Sequence, residues 1–263
     1  TVSVLYWGGE PTAMSYDRAI TTFSPDGHLF QVEYAGEAVK KGLCAVGVRG
    51  AETVVLAVEK RAVQKLEESR TVRKVLKVDD HAYLAFAGMS ADARVLVQHA
   101  QLQCQSFKFQ YEDTMDVDFL VRYIAEVQQK STQRGGHRPY AVGCIVGGFN
   151  ADGTPQLWQT EPSGACAAWR ACATGRNAKT VLEEMEKCDE EGKMPTTRDE
   201  TVRFAIRALL EVVESGSKNI EVVVLQHGKP AVHVDDAELT TLTTALEKER
   251  EEARAKKRAQ QEE

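Results

Sequence analysis

Apolar residues recur along this chain in two alternating rhythms, and the changes between them predict the order of elements. Leu29, Val32, Ala35 and Val39 fall at helical spacing after a reverse-turn sequence, Ser24-Pro25-Asp26-Gly27, and before the stop signal Lys40-Lys41-Gly42. Proline at the second turn position sets φ, glycine suits the fourth, and Asp26 is placed to cap the helix. Gly36 inside it costs roughly 1 kcal/mol against alanine, so the helix is expected to depend on a neighbouring surface. Strand rhythm then takes over in two hairpins. Ala45 to Arg49 and Val54 to Val58 flank Gly50-Ala51-Glu52, and Val75 to Val78 and Ala82 to Ala87 flank Asp79-Asp80-His81.

Helical spacing returns in Val95, Leu96 and Leu102, from a start near Asp92, and again in Val117, Leu120, Val121, Ile124 and Val127. Tyr140 to Phe149, Gln156 to Thr160 and Ala165 to Ala173 read as strands, punctuated by Asn150-Ala151-Asp152-Gly153 and Pro162-Ser163-Gly164. Helices follow over Asn177 to Cys188 and Arg198 to Ser215. A last hairpin, Ile220 to Gln226 and Ala231 to Val234, turns at His227-Gly228-Lys229-Pro230. From Leu239 a helix carries Leu242 and Leu246 on one face and then becomes a mixed charge run, the composition of a solvated helix end. Within that run Lys256-Lys257-Arg258 is a weak nuclear-import signal. Strands, helix pair, strands, helix pair, strands is not the regular alternation of a doubly wound fold, and it predicts an α+β chain.

Composition narrows this little. The 263 residues, 43% of them hydrophobic, suffice for one large core or two small ones. A formal charge of −6 argues against a nucleic-acid binder, which carries a basic excess. Six cysteines without a C-x-x-C pair point to free thiols in a reducing compartment. No apolar run approaches the ~18 to 20 residues of a membrane span, and Val2-Ser3-Val4-Leu5 is too short for a signal-peptide core. Cytosol or nucleus is the expected location, with no membrane partner.

Enzyme-like patterns are present only in fragments. Gly175-Arg176-Asn177-Ala178-Lys179-Thr180 lacks the glycine that precedes lysine in a phosphate loop. Gly88-Met89-Ser90-Ala91-Asp92 lacks the second glycine of a nucleophile elbow, leaving Ser90 or Asp92 as a helix cap. The six histidines form no metal-ligand spacing, and Cys166 and Cys172, six apart, are a weak candidate pair. No catalytic residue, metal or cofactor is assigned.

One stretch is specified far beyond what its physics demands. Tyr16-Asp17-Arg18, Phe23-Ser24-Pro25-Asp26-Gly27 and Phe30-Gln31-Val32-Glu33-Tyr34-Ala35 resemble the N-terminal signature of proteasome alpha-type subunits. The likeness continues through Glu59-Lys60, Arg70 to Lys74, Ala91 to Arg94, Arg138-Pro139-Tyr140, Asp152 to Pro155 and Lys218 to Glu221, segments most similar to the alpha type-7 branch at the fourth ring position. The resemblance implies the four-layer αββα sandwich of the N-terminal-nucleophile hydrolases with an added N-terminal helix. It also implies a division into 1–13 (an N-terminal extension or mis-called start), 14–238 (the alpha-type domain) and 239–263 (the charged tail). Within the domain, 14–23 would be a gate segment and 24–42 the turn and helix beneath it.

The function so implied is a non-catalytic structural and gating subunit in the outer seven-membered ring of the core particle. Its partners would be other alpha subunits, beta subunits and activators that dock through C-terminal tails, in ubiquitin-dependent degradation. Tyr16, Asp17, Pro25 and Tyr34 match the cluster that stabilises the open gate between neighbours, with Arg18 in the same signature. Lys74 matches the lysine lining the pocket between adjacent alpha subunits where the C-terminal tails of activators dock, with a solvated basic strand edge (Arg73, Lys77) as its alternative. Two other functions stand beside this one: an autonomous threonine peptidase using Thr1, and a free adaptor acting through the charged C-terminal helix.

Overall fold

The computed structural model describes residues 21–61, 64, 66–68, 71–213 and 219–261, with side chains described through Lys248. The first helix, α1 (Phe30–Lys40), follows the turn at Ser24–Gly27. Strands β1 (Ala45–Arg49), β2 (Thr53–Glu59), β3 (Val75–Lys77) and β4 (Ala82–Gly88) precede helices α2 (Ser90–Tyr111) and α3 (Val117–Gln133). Then come β5 (Val142–Phe149), β6 (Pro155–Thr160), β7 (Cys166–Ala168) and β8 (Ala171–Thr174), helices α4 (Ala178–Glu190) and α5 (Arg198–Leu210), strands β9 (Ile220–Gln226) and β10 (Val232–His233), and α6 (Asp236–Gln261).

The strands form two five-stranded antiparallel sheets, in the orders β10-β9-β2-β1-β8 and β3-β4-β5-β6-β7. Alternation of side chains along each strand sends residues to two different cores. In β2, Val54, Leu56 and Val58 enter the core between the sheets, while Val55 and Ala57 meet the helices outside. In β4, Tyr83 and Ala85 face the other sheet, whereas Ala82, Leu84 and Phe86 lie under α2 and α3. A sheet covered on both faces tolerates no polar alternation, which is why β2 is buried along its whole length. The layers are thus α4, α5 and α6, sheet, sheet, α2 and α3: an αββα sandwich in which α1 lies at one end of the second sheet.

Several sequence expectations need correction. The run Ala165 to Ala173 is two strands in two sheets, because β7 pairs with β6 (Trp158 opposite Ala168) and β8 pairs with β1 (Ala45 opposite Thr174). That crossing also carries Cys166 and Cys172 into different sheets as free thiols. The helix placed near Asp92 begins at Ser90, and Val95 and Leu102 are 40% and 69% exposed, so they do not belong to its buried stripe. Its buried stripe is Ala93, Leu96, Val97, Ala100 and Cys104. Asp26 does not cap α1, whose N-terminal flank Leu29 makes no side-chain cap. Neither Ser90 nor Asp92 caps α2. The helix from Arg198 ends at Leu210, and Ser215 lies outside the described residues. Its start has a full capping box, Thr197 with Glu200, which supplies two acceptors for first-turn amides.

Candidate functional site

The reverse turn is closed by three hydrogen bonds. The Gly27 amide donates to the Ser24 carbonyl at 2.9 Å, the Ser24 amide to the His28 carbonyl at 2.9 Å, and the His28 amide to Ser24 Oγ at 3.0 Å. Ser24 is therefore buried although Pro25, Asp26 and Gly27 are exposed. Gly27 has φ of +83°, a conformation glycine adopts without the Cβ clash other residues suffer. Beyond the turn the rings of His28, Phe30 and Tyr34 stack in succession, with centroids 5.9 and 6.4 Å apart, and Tyr34 remains half-exposed. Glu33 accepts from His28 Nδ1 at 2.5 Å and holds the imidazole pKa above its ordinary value. Pro25 and Tyr34 thus both face outward from one rigid turn and helix. Tyr16, Asp17, Arg18 and Thr1 lie outside the described residues.

Ala35 and Val39 are the buried face of α1. Val39 fits because β5 carries Gly143, where an added Cβ would sit 3.0 Å from Val39 Cγ1. At the helix end Gly42 crosses Gly88 so closely that a Cβ on Gly42 would lie 2.3 Å from the Gly88 nitrogen. The Gly42 carbonyl also accepts from the Arg176 amide at 2.7 Å. Backbone against backbone leaves no side chain to yield, so the end of α1 is pinned to both sheets.

Lys74 stands immediately before β3 at the rim of a cavity of about 490 Å3 on this same end of the sandwich. Its ammonium donates to the Leu43 carbonyl at 3.0 Å and lies 5.7 Å from the centre of the Phe86 ring. Its own amide donates to Glu221 Oε2 at 3.0 Å. Burial pushes the Lys74 pKa down to about 8, opposed by the charges of nearby groups that include Glu59 and Glu221. Cys44 is no counter-ion at neutral pH, because burial pushes its thiol up to about 12. Glu59 in turn accepts from the Cys44 amide at 3.2 Å and pairs with Arg176 at 2.9 Å. Lys74 is therefore a half-buried cation bonded to the residue that follows the α1 stop signal, whereas Lys77 is an exposed partner of Asp80. Lys77 is thus solvated, while Lys74 is partly buried.

Two further groups organise the cavity; sequence reasoning offered Asp92 only as a helix cap and gave Arg138, Glu59 and Glu221 no role. The carboxylate of Asp92 is 8% exposed and takes a two-pronged contact from Arg138, at 2.6 and 2.7 Å, plus the Ala141 amide at 3.0 Å. This clamps the first turn of α2 to the segment entering β5, and with it Ser90 and Arg94, which line the cavity. Glu59 and Glu221 are the second group, both less than a tenth exposed. A carboxylate ending or beginning an otherwise apolar strand, as in VVLAVE and IEVVV, is the signal that could have found them.

A second cavity of about 490 Å3 lies at the opposite end of the sandwich, beside His81, Phe149 and His227. Among the described residues no group of three or more His, Cys, Asp or Glu side chains is arranged to hold a metal, and no helix is long and apolar enough to cross a membrane.

Comparison with known proteins agrees with this geometry. The family model for proteasome subunits matches residues 39–225, and the model for the N-terminal signature of the A-type proteasome subunits matches residues 16–38. The chain is 64% identical over 245 residues to the proteasome alpha type-7 subunit of Trypanosoma brucei brucei, covering 93% of this chain and 98% of that protein. It is 53% identical over 244 residues to the alpha type-7 subunit of Solanum lycopersicum, covering 92% and 93% of the two chains. With the alpha type-7 subunit of Dictyostelium discoideum the identity is 50% over 236 residues, covering 90% and 93%. The signature match coincides with the turn and α1, and the longer match spans both sheets, so the chain belongs to the proteasome subunit family, in its alpha type-7 branch.

Proposed function

We propose that this chain is a non-catalytic structural and gating subunit of the proteasome core particle, one of seven in its outer alpha ring. It packs on the beta ring and serves ubiquitin-dependent protein degradation in cytoplasm and nucleus. The observation that carries this reading is the seat of the N-terminal signature: an outward-facing turn and helix pinned over one end of the sandwich by the Gly42–Gly88 crossing. That seat also argues against catalysis. An N-terminal nucleophile needs a free amine at the head of a core strand, and here β1 is entered from α1 through Gly42 and Leu43.

In this reading residues 14–23 cover the axial pore, 24–42 form the turn and helix that hold the cover, the body runs from 14 to 238, and 239–263 are a charged tail. Tyr16, Asp17, Pro25 and Tyr34 exchange contacts with neighbouring subunits when the gate is open, with Arg18 in the same segment. The phenols and the carboxylate supply directional hydrogen bonds, and Pro25 fixes the turn. Lys74 receives the terminal carboxylate of an activator tail. Its bond to the Leu43 carbonyl sets the docking cavity one residue from the last turn-and-helix residue, Gly42.

Removal of residues 1–20 tests the gate. Particles carrying the truncated chain should assemble normally and hydrolyse a small fluorogenic peptide faster than intact particles, by a partial amount because six other subunits keep their covers. Unchanged hydrolysis in correctly assembled particles would refute a gating role for this subunit.

A further inference from the structure

The Lys74 cavity holds more positive charge than one terminal carboxylate requires. Among the described residues four cations line it, Arg61, Arg73, Lys74 and Arg94, against one carboxylate, Glu67. Glu67 is already engaged, because Arg61 donates to it. Arg73, Lys74 and Arg94 form no ion pair with a carboxylate among the described residues, but Lys74 lies near the buried Glu59 and Glu221, so Arg73 and Arg94 are the charges on the cavity wall without a carboxylate partner. Like charges on the walls of one cavity repel each other, and an anionic ligand relieves that repulsion.

The cations also divide by position. Lys74 stands before β3 and turns inward to the Leu43 carbonyl. Arg94 projects from the first turns of α2, which the Asp92–Arg138 contact holds in place, and is itself exposed. Arg73 lies close enough to His233 of β10 to lower its pKa, after the larger effect of burial, and so serves more than this cavity. Arg94 is therefore the cation available on the wall formed by α2. A guanidinium offers five donors in a rigid fork matched to a carboxylate, which an ammonium does not.

We propose that the cavity reads two negative charges on a peptide C-terminus: the terminal carboxylate at Lys74 and an acidic side chain within the last three residues at Arg94. Lys74 and Arg94 line the same cavity, and an extended peptide advances about 3.3 Å per residue, so an acidic side chain one or two residues from the end stays close to the terminal carboxylate. The occupant is thus a tail ending with an Asp or Glu close to its terminus, and Arg94 is the residue that distinguishes it from a neutral tail. This inference rests on the proposed docking role of Lys74.

The test uses assembled core particles and four heptapeptides, each bearing an N-terminal benzophenone: acidic or neutral at the penultimate position, and free or amidated at the C-terminus. Photo-crosslinking to this subunit, read by mass spectrometry over a range of peptide concentrations, isolates it from the other ring members. The acidic free-acid peptide should half-saturate at about five-fold lower concentration than the neutral one at low salt, with the difference shrinking as ionic strength rises. Arg94→Gln should remove that preference by weakening the acidic free acid more than the neutral one, while Arg94→Lys should restore part of it. A preference for the acidic peptide that is absent, or that survives Arg94→Gln, overturns the inference alone. If free acid and amide crosslink equally and Lys74→Met changes nothing, the docking role itself fails and this inference falls with it.

Discussion

Asp92→Asn is the substitution whose cost can be followed most directly from the structure. Asparagine keeps the shape but presents an amide donor where the Arg138 fork needs an acceptor, so one of the contacts at 2.6 and 2.7 Å is lost and the other loses its charge. Hydrogen bonds to charged groups contribute about 1.5–3 kcal/mol each, and breaking a fully buried ion pair costs about 3–5 kcal/mol. Arg138 is 58% exposed, so water recovers part of the guanidinium's solvation and the lower end applies, about 2–3 kcal/mol. With a urea dependence of about 2–3 kcal/mol per molar, the unfolding midpoint of the purified chain, followed by tryptophan fluorescence, should fall by about 1 M.

The pH dependence supplies an independent arm. Arg138, by its side-chain hydrogen bonds, holds the Asp92 carboxyl below its ordinary pKa against the opposing effect of burial. The stabilisation is therefore present above the unfolded-state value of about 4 and is lost as pH falls through the lowered folded-state value. Wild type and Asp92→Asn should differ at pH 7 and converge in strong acid. A midpoint shift under about 0.2 M, or two acid profiles that stay parallel, would refute the ion-pair account of the α2 anchor. Because α2 carries Ser90 and Arg94 into the cavity, the variant should also weaken peptide docking there.

Two further predictions concern the cavity and the helix beside it. Since carboxylate docking needs a charged Lys74 and burial places its pKa at about 8, affinity for a neutral free-acid peptide should be near full at pH 7 and fall about ten-fold per unit well above that value. Lys74→Arg, whose guanidinium stays charged, should abolish the fall between pH 7 and 9, and a flat wild-type profile would contradict the reading. Gly42→Ala should loosen α1, because its Cβ would lie 2.3 Å from the Gly88 nitrogen and both are backbone; about 3 kcal/mol is expected. Gly36→Ala, with nothing within 4 Å of its Cβ, should instead tighten the helix by about 0.5–1 kcal/mol. Hydrogen exchange of α1 amides in assembled particles separates the two, and similar rates in both variants would defeat the close-packing argument.

The N-terminal signature, the turn at Ser24–Gly27 and the succession of strands and helices were all legible in the sequence. Each depends on neighbours in the chain: proline and glycine set local dihedrals, and hydrophobic period reports whether one face of a helix or strand is buried. Leu242 and Leu246 of α6 lie against the core side as their spacing predicts. Local pattern could not divide Ala165 to Ala173 between two sheets, since small residues suit either one and only the pairings with β6 and β1 choose. Nor could it mark Val95 and Leu102 as exposed, because which apolar face a helix buries depends on the sheet it meets.

The cavity shows the same boundary. The sequence alone pointed to Lys74 by its resemblance to a family lysine, to Asp92 as a candidate helix cap, and to Arg138 as part of a family segment without a role. Only the tertiary structure joins Asp92 to Arg138 across 46 positions and Lys74 to Glu221 across 147. It is also what buries Lys74 enough to lower its pKa and gathers Arg61, Arg73 and Arg94 around it. Chain spacing governs contacts within an element, whereas charge balance and burial at a site depend on which elements meet. That meeting is decided by how the two sheets and their helices share one core.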